Sequence, residues 1–152
     1  MMDLNERLSE DQKSAMKGGD TLQVSVLRVL RTRIKEGAVE KRRDLSDGEI
    51  YKVILSETKR REEAIDLFEK GGRGDLATRE KQEIEILKTY LPPALSEEEL
   101  RKHASEAVKE VGAKSQRDLG KVMKVLMPKV TGKAEGSLVN RIVKELLAEQ
   151  QD

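Results

Sequence analysis

Few residues in this 152-residue chain have types and spacing suited to chemistry. There is no cysteine, which excludes thiolate nucleophiles, disulfides and cysteine-held zinc. His103 is the single histidine. It shares a helical stripe with Leu100 and Ala107. Without a second histidine it fits a partly buried packing role better than a metal site or a triad. The run "GGRGD" (71–75) resembles a phosphate loop only faintly. It lacks the Gly-Lys-Ser/Thr ending and a preceding strand, so it reads as a turn between helices. "KRREE" (59–63) reads as a solvated helix face with i,i+4 pairing such as Lys59 with Glu63. Carboxylates are plentiful, but acid–base catalysis needs one with a shifted pKa in a cleft, and no pair stands out. No catalytic residue, cofactor or metal site is expected.

What remains is positive charge. The net charge is +1, yet the charges are unevenly spread. Between Thr21 and Arg43 stand Arg28, Arg31, Arg33, Lys35, Lys41, Arg42 and Arg43 against Glu36 and Glu40. Between Ser115 and Lys144 stand Arg117, Lys121, Lys124, Lys129, Lys133, Arg141 and Lys144 against Asp118 and Glu135. The segment from Asp44 to Lys70 is acidic. The stretch "DLGKVMKVLMPKVTGKAEGSLV" (118–139) concentrates the second basic zone. At about 100° per residue, Leu119, Val122, Met123 and Leu126 share one helix face, and Arg117, Lys121 and Lys124 share the other. A break is predicted at Met127-Pro128. Lys129 and Lys133 follow in a loop whose glycines, Gly132 and Gly136, let a partner's backbone approach. The next helix starts near Ala134 to Gly136 and offers unpaired N–H groups. Lysines beside such an end suit phosphate. The alternative is a solvated face and an ordinary turn. With no aromatic interleaved, nucleic-acid contact would be to backbone and shape.

The elements that must position these residues are helical. Glu, Lys, Leu, Ala and Val dominate, and only Tyr51, Phe68 and Tyr90 are aromatic. Leu4, Leu8 and Ala15 predict a first helix ending at Gly18-Gly19. Leu22, Val26, Val29, Leu30 and Ile34 predict a second, capped by Asp20 or Thr21, running to about Glu40 with Gly37 as its weak point. Ser46 and Glu49 have capping-box spacing ahead of a third, which ends in glycines that supply left-handed backbone. Ile84, Leu87 and Leu91 mark a fourth. Pro92-Pro93 is the domain boundary, because neither proline donates a backbone hydrogen bond and each restricts its predecessor. Ser96 and Glu99 form a second capping box. Three helices follow, at about 96–111, 115–127 and 134–149. No segment alternates with period two. The expected fold is all-α: an N-terminal four-helix bundle (1–92) and a small C-terminal three-helix domain (93–152). No run of about 18 apolar residues could span a bilayer. An acidic N-terminus without an apolar core speaks against a leader, so the expected compartment is the cytoplasm.

At these motifs the sequence resembles the GatB/YqeY family, stand-alone small proteins related to the C-terminal helical and tail regions of the B subunit of glutamyl/aspartyl-tRNA amidotransferase. The resemblance rests on "LRVLRTRIKEGAVEKRRDLSDGEI" (27–50), "RREEAIDLFEKGGRGDLATREKQE" (60–83), "ILKTYLPPALSEEEL" (86–100) and "DLGKVMKVLMPKVTGKAEGSLVNRIVKELL" (118–147). It implies a two-part helical protein whose tail engages the outer corner of tRNA, with catalysis carried by other domains and subunits. By family association the activity is that of a carbon–nitrogen ligase with glutamine as amido donor; this chain by itself is expected to be non-catalytic. Carried over by motif, Lys121, Gly132, Lys133 and Gly136 are tRNA-contact candidates; Lys124 and Lys129 join them from the helical-face geometry. The family often has Arg and Asp where this loop has Lys133 and Glu135. Lys133 lacks the forked grip of arginine, and Glu135 is a poorer helix cap than Asp. The partners implied are tRNA and an aminoacyl-tRNA synthetase or amidotransferase. The rival expectation is a protein-interaction adaptor that no longer binds RNA. Neither the particular tRNA nor the oligomeric state follows from the sequence.

Overall fold

The computed structural model describes residues 2–150. Among them there are seven α-helices and no strand. In chain order they are α1 (Leu4–Gly18), α2 (Thr21–Lys41), α3 (Asp47–Lys70), α4 (Gly74–Lys88), α5 (Glu97–Val111), α6 (Leu119–Val130) and α7 (Gly136–Gln150), with a 3-10 turn at Gln116–Asp118 ahead of α6. The chain forms two compact units, one ending at Leu91 and one beginning at Pro92.

The first unit holds α1 to α4. Local signals start and stop its helices. Asp3 accepts from the Glu6 N–H at 2.8 Å, and Asp20 from the Gln23 N–H at 3.0 Å, so each satisfies one orphan donor of the first turn. Ser46 and Glu49 close a capping box at the start of α3. Gly19 closes α1 in the left-handed region, at φ 72°. At the end of α3 the left-handed residue is Gly72, at φ 73°, whereas the capping Gly71 has φ −86°. Leu8, Val26, Leu27, Leu30, Ile50, Ile54 and Leu87 fill the core. Gly37 does not weaken α2. A Cβ there would lie 3.0 Å from a methyl carbon of Leu45, so its lack of a side chain admits the loop residue that seals this end of the core.

Beyond that core, α3 and α4 continue as a paired hairpin over a small cluster of Ile65, Ala77 and Ile84 with Phe68 against it. Here the expected solvated face of "KRREE" needs correction. Arg61 keeps only 14% of its side chain exposed and bridges to Glu80 at 3.2 Å and Glu83 at 2.5 Å on α4. Glu83 and Glu57 are buried carboxylates, the latter 3.2 Å from Arg33 on α2. Arg60, by contrast, is largely exposed. Only the tertiary pairing of α3 with α4 distinguishes the two neighbouring arginines.

The second unit packs α5, α6 and α7 around Leu100, Ala107, Val122, Leu126, Val130, Val139, Ile142, Val143 and Leu147. Ser96 and Glu99 form the capping box of α5, and Gly112 ends it at φ 65°. The break predicted at Met127-Pro128 is not there: α6 runs through Pro128 to Val130. Pro128 can make no bond to the Lys124 carbonyl, but one lost bond in the last turn is a small cost. Val130 extends the buried stripe of Val122 and Leu126 by a further step of four and is itself fully buried. The Thr131 N–H and hydroxyl then both donate to the Met127 carbonyl, at 2.9 and 2.5 Å, and close the helix.

Candidate nucleic-acid interface

The exposed side of α6 carries Lys121, Lys124 and Lys129, and the opposite side is the buried stripe. The three lysines do not form one cluster. Lys121 and Lys124 lie in the first half of the helix and Lys129 in its last turn, roughly 12 Å along the axis from Lys121 at 1.5 Å per residue. Lys129 also turns towards α5, where Glu110 lies 3.4 Å away. Lys121 is 75% exposed and only 3.9 Å from Asp118, a distance that leaves most of its charge to solvent. Lys124 has no ion-pair partner among the described residues.

The loop after α6 is built by backbone geometry. Gly132 adopts φ 81°, which a side chain would strain. Lys133 is half-buried; its N–H donates to the Val130 carbonyl at 2.9 Å and its own carbonyl accepts from the Leu95 N–H at 2.8 Å. That second bond pins the loop to the chain entering α5. Glu135 supplies the carbonyl that the Val139 N–H meets at 3.0 Å, and Gly136 opens α7 with empty space where a Cβ would stand. The loop therefore presents one lysine beside a helix start, at the far end of α6 from Lys121.

At the near end the structure assembles more charge than the stretch 118–139 announces. Asp118 accepts from the Lys114 N–H at 2.9 Å and the Ser115 N–H at 3.4 Å, while the Ser115 hydroxyl accepts from the Arg117 N–H at 3.3 Å. The Gln116 side-chain amide donates to the Lys144 carbonyl at 2.9 Å. The 3-10 turn is thereby tied to α7, and Lys114, Arg117, Lys121 and Lys144 are exposed around it. Asp118 stays ionised: the Lys114 N–H lowers its pKa most, the Ser115 N–H less, and the nearby Lys121 and Lys114 charges least. Lys114 falls just outside the basic zone of the sequence. That the turn meets α7 at Lys144, twenty-eight positions beyond Gln116, is visible only in the bond from the Gln116 amide to the Lys144 carbonyl.

Part of the basic run of α2 is neutralised within its own unit, while Arg28, Lys35 and Arg42 are exposed with no acid within ion-pair distance among the described residues. Arg31 donates to Gln12 at 2.5 Å, Arg33 pairs with Glu57, and Lys41 and Arg43 both hold Glu49, the latter at 2.7 and 3.1 Å through two nitrogens. Arg43 first, then Lys41, then the Ser46 N–H hold the Glu49 carboxyl far below the usual carboxylate range. In the second unit Arg141 is likewise engaged, with Glu97 at 3.6 Å and Glu145 at 3.8 Å, beside an Arg101 that meets the same two acids. In the second unit Lys114, Arg117, Lys124 and Lys144 have no carboxylate within ion-pair distance among the described residues, and Lys121 has only Asp118, at 3.9 Å. His103 is half-buried on α5, and among the described residues no three His, Asp or Glu side chains gather as a metal site would need. No helix among them is long and apolar enough to cross a membrane.

The fold and this surface define a small all-α protein of two helical units, one bearing a basic helical face. The chain belongs to the YqeY-like family: the family described as "Yqey-like protein" matches residues 5–147. It is similar to the proteins named "Altered inheritance of mitochondria protein 41, mitochondrial" of several fungi. With that of Lachancea thermotolerans it is 33% identical over 107 residues, 68% of this chain and 57% of that protein. With that of Pyrenophora tritici-repentis it is 25% identical over 147 residues, 93% of this chain and 79% of that protein. With that of Kluyveromyces lactis it is 35% identical over 95 residues, 60% of this chain and 51% of that protein. The matched part thus spans little more than half of the first and third of these relatives.

Proposed function

We propose that this chain is a non-catalytic tRNA-interacting module that contacts the phosphate backbone through its second unit. The observation that carries the reading is the face of α6, where Lys121 and Lys124 stand exposed opposite a fully buried stripe, Lys124 with no ion-pair partner among the described residues and Lys121 with only Asp118, at 3.9 Å. Lys129, Gly132, Lys133 and Gly136, the other candidates of the sequence, lie at the opposite end of α6, with Lys129 beside Glu110 and Lys133 half-buried. Phosphate contacts by lysine give affinity without sequence preference. The resemblance to the tail region of the amidotransferase B subunit supports tRNA as the nucleic acid. It makes an aminoacyl-tRNA synthetase or an amidotransferase the protein partner and tRNA-dependent amidation the associated process. The four-helix unit and the three-helix unit are, in this proposal, separate domains meeting at Pro92-Pro93. The cytoplasmic assignment belongs here too; the fungal relatives are mitochondrial by name, and fractionation of the source cells distinguishes the two compartments.

The test is a titration of purified protein with tRNA across a series of salt concentrations. Each neutralised phosphate contributes a slope of roughly −0.7 to −0.9 in log K against log salt. Replacing Lys121 and Lys124 by Ala should flatten the slope by about 1 to 2 units and leave the helical spectrum unchanged. A wild-type protein that ignores tRNA at low salt would overturn the reading in favour of a protein-interaction adaptor.

A further inference from the structure

The 3-10 turn lies among three cations close in sequence and is tied to the backbone of α7 at a fourth, distant one. Lys114 comes from the link after α5, Arg117 from the turn itself, Lys121 from the first turn of α6 and Lys144 from α7. The Gln116 amide on the Lys144 carbonyl, at 2.9 Å, and the Asp118 carboxylate on the Lys114 and Ser115 N–H groups hold them there. Asp118 is the one acid inside the group. It is committed to backbone N–H groups, and the nearest lysine nitrogen stands 3.9 Å from it. The other end of α6 differs. Lys129 is paired with Glu110, and Lys133 is half-buried and followed by exposed Glu135. Positive charge thus peaks at the turn rather than at the glycine loop.

The surroundings restrict what such a surface can take. Tyr51, Phe68 and Tyr90 all precede Pro92, so the second unit has no Phe, Tyr or Trp on which a base could stack, and its one imidazole, His103, is half-buried on α5. The cations stand on the outside of helices and a turn. A cavity of about 280 Å³ in this unit is lined by Ser105, Val108, Leu146, Glu149 and Gln150 and includes none of them. Single-stranded nucleic acid is held in basic grooves by stacking on aromatics. Double-helical RNA keeps its bases inside and is met through phosphates, 2′-hydroxyls and shape.

We propose that Lys114, Arg117, Lys121 and Lys144 around the 3-10 turn are the main phosphate grip of this protein, and that the grip takes the backbone of double-helical RNA. This rests on the tRNA reading above and deepens it: the backbone of base-paired, stacked tRNA rather than an extended single strand meets the turn, and the Gly132–Gly136 loop is peripheral.

The full-length protein is titrated with three probes at low salt: tRNA, a 20-base-pair RNA duplex and a 20-nucleotide oligouridylate. Duplex and tRNA should bind alike, and oligouridylate about tenfold or more weakly. The Lys114→Ala/Lys144→Ala pair should lower duplex and tRNA affinity about tenfold and flatten the salt slope by about 1 to 2 units, two phosphate contacts being lost. The Lys129→Ala/Lys133→Ala pair should change affinity less than about twofold. Lys114→Arg/Lys144→Arg should retain binding, which separates charge from folding. If tRNA binds and the glycine-loop pair causes the larger loss, or oligouridylate binds as tightly as duplex, the inference fails while the tRNA reading stands. If neither tRNA nor duplex binds and polyglutamate does, both fail and the surface is one for an acidic protein.

Discussion

At the residue scale, neighbours in sequence have opposite fates. Arg61 is nearly buried against Glu83 and Glu80, whereas Arg60 points outward 3.9 Å from Glu57. Removing one partner of a buried pair leaves the other desolvated and uncompensated. Arg61→Ala should therefore cost about 3 kcal/mol, while Arg60→Ala should stay within about 0.5 kcal/mol. Urea unfolding of the two variants measures this, and equal costs would mean that Glu83 is well solvated after all. The glycines flanking Lys133 form a second contrast. Gly132→Ala forces a left-handed backbone on alanine and should lose about 1 to 2 kcal/mol. Gly136→Ala places a methyl in open space at a helix start and should be neutral or stabilising by a few tenths of a kcal/mol. Thermal melts of the pair give the comparison.

At the element scale, α3 and α5 start in reciprocal caps whose glutamates are ionised. Glu49 closes the box of α3 while Arg43 and Lys41 hold its carboxylate, so its folded pKa lies well below the ordinary glutamate value of about 4.3. Between the two values the unfolded chain binds more protons than the folded one, so stability rises with pH through that window. The contribution is complete above about pH 5 and is lost as the pH falls through the folded value. Glu99 in the box of α5 and Asp118 in the 3-10 turn are shifted in the same direction, chiefly by Ser96 and by the Lys114 N–H. Denaturation midpoints at pH 7 and pH 3 should differ, and Glu49→Gln should reduce the difference by lowering the pH 7 value alone. A midpoint difference unchanged by Glu49→Gln would show that the cap does not act through its charge. Ser46→Ala and Ser96→Ala should each cost about 1 kcal/mol.

At the scale of the whole molecule, each unit has a core of its own. The apolar side chains of the second unit that bury one another all come from α5, α6 and α7 and the links between them. A fragment starting at Pro92 has about the length at which a single core begins to suffice. It should fold alone and give a helical circular dichroism spectrum with a cooperative melt; a random-coil spectrum would refute independent folding. The intact protein should release no ammonia from glutamine and hydrolyse no ATP, since it has no cysteine nucleophile and no nucleotide loop. Turnover that co-purifies with the protein and survives in a clean preparation would overturn the non-catalytic reading.

The sequence by itself determined the helices. Apolar steps of three and four, two Ser-x-x-Glu boxes and glycines at the ends are local instructions, and local hydrogen bonds carry them out. It also determined the sides of α6, because the same 100° rotation that buries Val122 and Leu126 exposes Lys121 and Lys124. The break that Pro128 predicts is absent for a physical reason: in the last turn a proline forfeits one hydrogen bond, and burial of Val130 in the tertiary core outweighs that loss. Tertiary structure alone decided which charges are neutralised. Arg61, Arg33 and Arg43 meet acids on other helices or across a loop, and Gln116 ties the 3-10 turn to α7 at Lys144, at separations that no helical period encodes. Charge in a sequence is a count, and the field at a surface depends on what each charge faces once the helices have packed.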